Sequence, residues 1–269
     1  MSSVNQDNLH TWEKIADFWD DKIGHGNTFS RAIVFPVAER MLKLSEQDHV
    51  LEIGCGSGLF ANGVLSRSRR VVATDACERF LAIAKQRYGQ VSNVQFRRLD
   101  ATEPEDFRAF EENTFDKAVC NMAIMDIPSL EALFEGLRTI LRNDGLFVFT
   151  IPHPCFRTNN ARYTVERAMD GDELRVARSV KVERYLTQMQ WKQIGIIGQP
   201  EAHYMFHRSI TEILAKAFQN GFLVKDFQEV GDPSKFDKKN PFALQNFPET
   251  PAIMAVSLVL QKAERTQPA

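Results

Sequence analysis

Short apolar runs alternate with amphipathic segments along the middle of the chain. Apolar runs of this length are typical of buried strands, and apolar residues that recur every three or four positions are typical of helices. The runs predict strands over Val50–Ile53, Val71–Ala73, Val94–Arg97, Phe115–Asn121 and Leu146–Ile151. The segments between them predict helices over Leu59–Leu65, Glu78–Arg87, Phe107–Glu111 and Leu130–Leu141. This alternation predicts a parallel sheet with helices on both faces, which is a doubly wound α/β fold.

Segments of different character flank this regular region. Before it, apolar residues at helical spacing predict one helix over Leu9–Asp20 and another over Ser30–Leu42, which Pro36 should kink or break. After it, residues 152–205 show no clear alternation, and we expect them to form an insertion that covers the mouth of the sheet. One further helix and two strands follow, over Ser209–Asn220, Phe222–Glu229 and Ile253–Gln261. Residues 264–269 are predicted to be a frayed tail.

Composition and charge exclude several classes of protein. A formal net charge of -2 gives no electrostatic case for a nucleic-acid partner. No apolar run approaches the ~20 residues that a membrane helix needs, and the polar segment Met1–His10 lacks the apolar core of a signal peptide. The four cysteines are widely spaced and form no C-x-x-C pair, so we expect reduced and mostly buried thiols. These features favour a cytoplasmic protein.

The sharpest chemical signal is a glycine-rich turn directly after the first predicted strand. Residues 50–61 read Val-Leu-Glu-Ile-Gly-Cys-Gly-Ser-Gly-Leu-Phe-Ala. A dinucleotide-binding turn reads G-x-G-x-x-G, but here the third glycine comes one residue early and Leu59 stands in its place. The acidic Glu52 also precedes the first glycine by two positions. This E-x-G-x-G-x-G pattern resembles motif I of the class I S-adenosylmethionine (SAM) dependent methyltransferases.

The resemblance implies a fold, a domain organisation and a cofactor. It implies a Rossmann-like, seven-stranded mixed sheet whose last strand, Ile253–Gln261, is antiparallel, with a helical N-terminal extension over the cofactor. The cofactor would be SAM, and the product S-adenosylhomocysteine. We expect one domain over residues 1–269, in four parts: a helical cap (about 1–45), a SAM-binding core (about 46–151), a substrate-cap insertion (about 152–205) and the C-terminal part of the core (about 206–262).

The cofactor-binding residues are predicted at the carboxyl ends of four strands. Asp75 ends the second strand, where a carboxylate can accept hydrogen bonds from the ribose hydroxyls of a nucleoside, although it could also cap the next helix. The resemblance implies that Asp100 meets the adenine amine and that Asn121 approaches the methionine moiety. The full predicted set is Glu52, Gly54, Cys55, Gly56, Gly58, Asp75, Ala76, Asp100, Ala101, Asn121 and Met122.

The substrate side is predicted from fewer signals. Asp126 could face the substrate or cap the helix that follows it. His153 lies between two prolines after the fifth strand, where it could accept a proton from the substrate or simply fix a turn. Tyr204 and His207 could contact the substrate, because they lie where the insertion returns to the core. His203 and His207 have the spacing of metal ligands on a helix, but no third ligand is evident, so we predict no metal site.

The motifs favour a small molecule as the methyl acceptor. The sequence Asn121-Met122-Ala123-Ile124 stands where the DNA amino-methyltransferases carry [DN]-P-P-[FYW], and the paired glutamates of the protein arginine methyltransferases are not found. An oxygen, nitrogen or carbon of the acceptor would attack the SAM methyl group by direct in-line displacement. Two alternatives stay open: a nucleotide-dependent oxidoreductase on a related sheet, and a non-catalytic SAM-binding or interaction module. The sequence leaves the acceptor and the oligomeric state unknown.

Overall fold

The fold is built on a seven-stranded sheet with helices on both faces. In the computed structural model, which describes residues 3–262, the sheet strands are β1 (His49–Ile53), β2 (Arg70–Asp75), β3 (Val94–Arg98), β4 (Phe115–Asn121), β5 (Leu141–Pro152), β10 (Phe222–Val230) and β11 (Ile253–Leu260). Their order across the sheet is β10-β11-β5-β4-β1-β2-β3. The central strands pair in parallel, and β11 is antiparallel to both of its neighbours. The predicted doubly wound mixed sheet with an antiparallel last strand is therefore confirmed.

The seven α-helices of residues 3–262 follow the predicted order along the chain. They are α1 (Ser3–Ile23), α2 (Phe35–Leu42), α3 (Leu59–Gly63), α4 (Glu78–Tyr88), α5 (Pro104–Arg108), α6 (Glu131–Ile140) and α7 (Ile210–Gln219). The prediction for α5 is displaced by three residues, because Pro104 begins the helix and sets its first turn.

Two apolar layers bury the sheet. On one face, α5, α6 and α7 pack apolar side chains against β4, β5 and β11. On the other face, α2, α3 and α4 cover β1, β2 and part of β4. Because both faces are covered, the strands β1, β2 and β11 are mostly buried and apolar, and most of their polar side chains lie near their ends. The functional residues therefore lie at the carboxyl ends of the strands.

The N-terminal segment forms a longer and more irregular cap than predicted. Helix α1 begins at Ser3 and crosses the carboxyl ends of the strands with a face that includes the buried side chains of Asn5 and Asn8. A short π-helical turn, Ser30–Val34, precedes α2 and ends just before Pro36. Pro36 lies in the first turn of α2, where its missing N–H is tolerated, so the predicted kink or break takes the form of a π-helical turn that continues directly into α2.

The insertion consists of two β-hairpin-like pairs. Strands β6 (Ala161–Asp170) and β7 (Glu173–Val182) form an antiparallel arm, and β8 (Met189–Gln193) pairs with β9 (His203–His207). The sequence pattern places the start of a helix after residue 207, and that helix is α7, which Ser209 and Glu212 cap reciprocally. Residues 203–207 are a strand. The predicted frayed tail, 264–269, lies outside the described residues.

Candidate functional site

A cavity of about 550 Å³ lies where α1 covers the carboxyl ends of the sheet strands. Its floor comes from the segments that follow β1, β2, β3 and β4, and its roof comes from α1 and the insertion. Of the predicted cofactor residues, all but Gly58 line it: Glu52, Gly54, Cys55, Gly56, Asp75, Ala76, Asp100, Ala101, Asn121 and Met122. Gly58 instead caps the start of α3, where a Cβ would lie 2.8 Å from the ring of Phe96.

The glycine turn shapes one wall of the cavity. Gly54 has a φ of +70°, and a Cβ there would lie 2.5 Å from the Cβ of Ala123. Gly56 has a φ of +53°, but a Cβ there would meet no described atom within 4 Å. Gly54 is therefore required by the protein's own packing. The space beside Gly56 belongs to the cavity, where a side chain would occupy volume that a ligand could use.

Asp75 is held in a fixed orientation at the end of β2. Its two carboxylate oxygens accept hydrogen bonds from the backbone N–H of Gly56 at 2.8 Å and of Cys77 at 2.9 Å. Burial raises the pKa of Asp75 to about 6, although these hydrogen bonds favour the charged form. The backbone thus holds a buried carboxylate against the glycine turn, directly beside the cavity.

Glu52 places a second buried carboxyl group next to Asp75. Burial and the nearby Asp75 raise the pKa of Glu52 to about 8. Its Oε2 atom is buried and has no hydrogen-bonding partner among residues 3–262. A buried polar atom without a partner is costly, so this atom indicates where a polar group of a ligand can bind.

Asp100 is tied to the helical cap. Asn5 of α1 donates its side-chain Nδ2 to the Asp100 carboxylate at 2.9 Å. The backbone N–H and the hydroxyl of Thr102 donate to the other carboxylate oxygen at 2.9 and 2.8 Å. The predicted meeting of Asp100 with an adenine amine stays a prediction, and the structure adds that α1 closes over this carboxylate.

Asn121 and Asp126 follow β4 and carry two further unpartnered atoms. The Asn121 side-chain oxygen accepts from the Thr150 hydroxyl at 3.1 Å. Within the described part of the chain, the Asn121 Nδ2 and the Asp126 Oδ1 are buried without hydrogen-bonding partners. Burial, with a smaller contribution from Asp75, raises the pKa of Asp126 well above its usual value. Both side chains line the cavity.

Three of the predicted substrate residues do not line this cavity in the described part of the chain. They are His153, Tyr204 and His207. His153 bonds the Glu229 carboxylate through Nε2 at 2.7 Å and accepts from the backbone N–H of Cys155 through Nδ1. The Tyr204 ring stacks on Phe206. His207 bonds the backbone oxygen of Tyr185 and lines a neighbouring groove. Their predicted roles stay predictions, and the geometry of His153 is that of a residue fixing a turn.

Several cavity residues were missed by the prediction. His203 and Met205 line the cavity because residues 203–207 form a strand, in which side chains two positions apart share a face. Trp12 and Trp19 line it from α1, where the sequence pattern indicated only an apolar helix face. The alternation of His203, Met205 and His207 with two aromatic residues is the signal that predicts a strand here.

No group of three histidine, cysteine, aspartate or glutamate side chains in residues 3–262 is arranged to hold a metal ion. Over the same range, none of the helices combines the length and the apolar composition needed to cross a membrane.

The middle of the chain is similar to known methyltransferase domains. Residues 51–149 match the family model of a methyltransferase domain. The chain is 33% identical over 160 residues to the chondramide synthase of Chondromyces crocatus, a match that covers 54% of this chain and 4% of that protein. It is 24% identical over 157 residues to the ubiquinone biosynthesis O-methyltransferase of Rickettsia bellii, covering 56% of this chain and 63% of that enzyme. The chain thus spans less than two thirds of the length of these curated relatives.

A solved structure shows that the fold is shared over most of the chain. The S-adenosylmethionine dependent methyltransferase of Mesorhizobium loti has a TM-score of 0.64 and 20% sequence identity to this chain. The match covers 83% of this chain and 96% of that one.

Proposed function

We propose that this chain, as a class I SAM-dependent methyltransferase, transfers a methyl group from SAM to a small molecule. SAM and the small molecule would bind side by side in the cavity described above. The observation that carries the proposal is the set of three buried, unpartnered polar atoms on the cavity wall. These are the Glu52 Oε2, the Asn121 Nδ2 and the Asp126 Oδ1. Polar groups of SAM and of the acceptor that reach these atoms would relieve the cost of their burial.

The residues present fit SAM in charge and in shape. SAM carries a sulfonium and an ammonium group, and the wall offers the buried carboxyl groups of Glu52 and Asp75. A nearby positive charge favours the ionised carboxylates, which burial alone disfavours. The open space beside Gly56 lets a ligand lie against the backbone of the turn. We therefore expect Glu52 and Gly56 to hold the methionine part and Asp75 the ribose.

The chain's own part in catalysis is positioning and the exclusion of water. When bound, SAM supplies a methyl group that its sulfonium charge already activates. Helix α1 closes the cavity from above, because Asn5 bonds Asp100 and Asn8 bonds the backbone oxygen of Asp126 at 2.8 Å. A closed cavity with fixed walls holds two reactants in line, and this accounts for much of the rate enhancement in such reactions.

Asp126 is the group best placed to face the methyl acceptor. Burial raises its pKa, which brings a carboxylate closer to the range in which it can accept a proton near neutral pH. It would be needed as a base only if the acceptor oxygen or nitrogen arrives protonated. His153 takes no part in this proposal, because both of its ring nitrogens are already engaged.

The test is transfer of labelled methyl groups from SAM to a metabolite extract. We expect the wild-type protein to label at least one small molecule, and Asp126→Asn to label it much more slowly while binding SAM normally. Asp172→Asn, an exposed change in the turn of the β6–β7 arm, is the matched control. A wild-type protein that binds SAM but labels nothing in small-molecule extracts would contradict the proposal.

A further inference from the structure

His203 lies on the cavity wall within an aromatic environment. Its side chain is 2% exposed, and its ring lies 4.7 Å from Trp12 and 5.7 Å from Trp19, measured between ring centres. Both tryptophans belong to α1, whereas His203 belongs to β9 of the insertion. All three residues line the cavity. The ring is thus held in place by two elements that are far apart in the sequence.

The hydrogen bonds of Gln199 determine which nitrogen of His203 carries the proton. The Gln199 amide oxygen accepts from the indole N–H of Trp19 and from the backbone N–H of Gly195, both at 3.1 Å. Both of these groups can only donate, so the amide oxygen must face them. The amide nitrogen therefore faces His203 Nδ1 at 3.0 Å, and it also donates to the backbone oxygen of Glu201.

This arrangement leaves Nδ1 of His203 as an acceptor. An amide nitrogen has hydrogens and no free electron pair for accepting, so Nδ1 must offer its lone pair. In a neutral imidazole the proton then resides on Nε2. Burial lowers the pKa of His203 to about 4, so the ring stays neutral at physiological pH. Among residues 3–262, no side chain or backbone group bonds Nε2, although His203 lines the cavity.

The position of His203 is at the Asp126 end of the cavity. The side chain of Asn8 connects the two regions, since it donates to the backbone oxygen of Asp126 and accepts from the backbone N–H of Tyr204 at 3.2 Å. The residue that follows His203 is therefore one side chain away from Asp126. The cofactor residues Asp75 and Asp100 belong to other strand ends.

We propose that His203 binds the methyl acceptor as a neutral hydrogen-bond donor, through Nε2–H, and so selects a largely apolar molecule that carries a hydrogen-bond-accepting oxygen. This inference rests on the proposed function. The walls nearby are apolar or aromatic, from Trp12, Trp19 and Met205, and suit a flat apolar body. A site built to donate one hydrogen bond discriminates strongly, because a ligand without an acceptor leaves the N–H unpaired.

The protonation state can be measured without any acceptor. Nitrogen-15 NMR of histidine-labelled protein distinguishes the two tautomers, and His203→Gln assigns the signal among the six histidines. We expect the Nε2–H tautomer of His203, unchanged between about pH 6 and 8. Observation of the Nδ1–H tautomer, or of a ring that becomes charged in this range, would overturn the inference.

Two substitutions of His203 test its role in acceptor binding. His203→Phe keeps a flat ring between the tryptophans but removes the donor, and His203→Gln keeps an N–H near the position of Nε2. We expect His203→Phe to raise KM for the acceptor at least about tenfold, with SAM affinity unchanged, and His203→Gln to restore most of the loss. His10→Gln, an exposed histidine of α1, is the control.

The outcomes separate this inference from the proposed function. Normal transfer by His203→Phe overturns the role of His203 and leaves the methyltransferase proposal standing. A loss of SAM affinity in His203→Phe also overturns it, because the residue would then serve the cofactor or the fold. The acceptor can be identified from the mass of its labelled product. If it lacks a hydrogen-bond-accepting oxygen, the role of His203 is likewise overturned. Absence of transfer by the wild-type protein contradicts the proposed function and removes the basis of this inference.

Discussion

The two ends of the cavity are built in different ways. The cofactor end, formed by Glu52–Gly56, Asp75 and Asp100, uses short segments that directly follow sheet strands, and backbone N–H groups fix Asp75 within it. The acceptor end, formed by Asp126, His203, Met205, Trp12 and Trp19, uses side-chain bonds between distant segments. Trp19 bonds Gln199 across 180 residues, and Asn8 bonds Tyr204 across 196.

This difference indicates what each end depends on. The cofactor end follows from the sheet itself, so it should persist whenever the core folds. The acceptor end exists only when α1 and the insertion dock on the core, and its polar groups are satisfied by few bonds. Changes at the first end should therefore alter cofactor affinity, and changes at the second should alter turnover of the acceptor.

The largest expected effect concerns the pH dependence of stability at the cofactor end. The pKa of Glu52 is raised to about 8 in the folded protein, from an ordinary value of 4.5, by burial and by Asp75. The folded state therefore binds the proton more tightly than the unfolded state, and stability falls as pH rises from about 4.5 to 8. We expect Glu52→Gln to flatten this fall in urea denaturation at several pH values, whereas Glu78→Gln, on an exposed helix start, should not.

The same end offers a matched pair of glycine substitutions. Gly54→Ala would place a Cβ 2.5 Å from that of Ala123, in a backbone conformation unfavourable to alanine, so we expect a loss of about 3 kcal/mol of stability. Gly56→Ala has no such clash and should cost only about 1 kcal/mol. The main effect of Gly56→Ala should be weaker SAM binding. Equal losses of stability in the two variants would contradict the assignment of the space beside Gly56 to the ligand.

Removal of the Asp75 carboxylate separates cofactor affinity from folding. We expect Asp75→Ala to weaken SAM binding at least tenfold, equivalent to about 1.4 kcal/mol, because the ribose loses its acceptor and the turn loses its anchor at Gly56. Calorimetry measures the affinity and thermal unfolding checks the fold. Asp172→Ala in the exposed arm is the control, and unchanged affinity in Asp75→Ala would remove this residue from the site.

The smallest of these effects is expected at the acceptor end. Asn8→Ala leaves the backbone oxygen of Asp126 and the backbone N–H of Tyr204 without this partner, which should cost about 1 kcal/mol of stability. We expect turnover of the acceptor to fall several-fold while SAM affinity changes less. Gln6→Ala, an exposed position on the same helix, controls for helix propensity. A larger effect on SAM affinity than on turnover would erase the distinction between the two ends.

The sequence predicts these two ends unequally, for a physical reason. Glu52, Gly54 and Gly56 are recognisable because one strand and one turn determine their placement. Asp75 is placed equally well, because strand ends of a parallel sheet meet at one edge. His203 depends on a strand pairing with β8, and Trp12 on the docking of α1, which no local pattern determines.

The insertion shows the same limit. Residues 161–182 form a long hairpin closed by the two-residue loop Gly171-Asp172, which is a recognised hairpin signal. Charged residues such as Arg167 and Arg178 interrupt its apolar face and obscure the alternation. The strand over 203–207 was hidden in a similar way, because it lies directly before the clear helical pattern of α7.

The measurement that tests the central claim most directly is calorimetric titration of the protein with SAM, S-adenosylhomocysteine and NADH, in two buffers of different ionisation enthalpy. We expect micromolar binding of the first two ligands and none of NADH. Because the positive charge of SAM favours ionised Glu52, its binding near pH 7 should release protons in wild type and fewer in Glu52→Gln. Binding of NADH alone, or of none of the three, would contradict the assignment of this cavity to SAM.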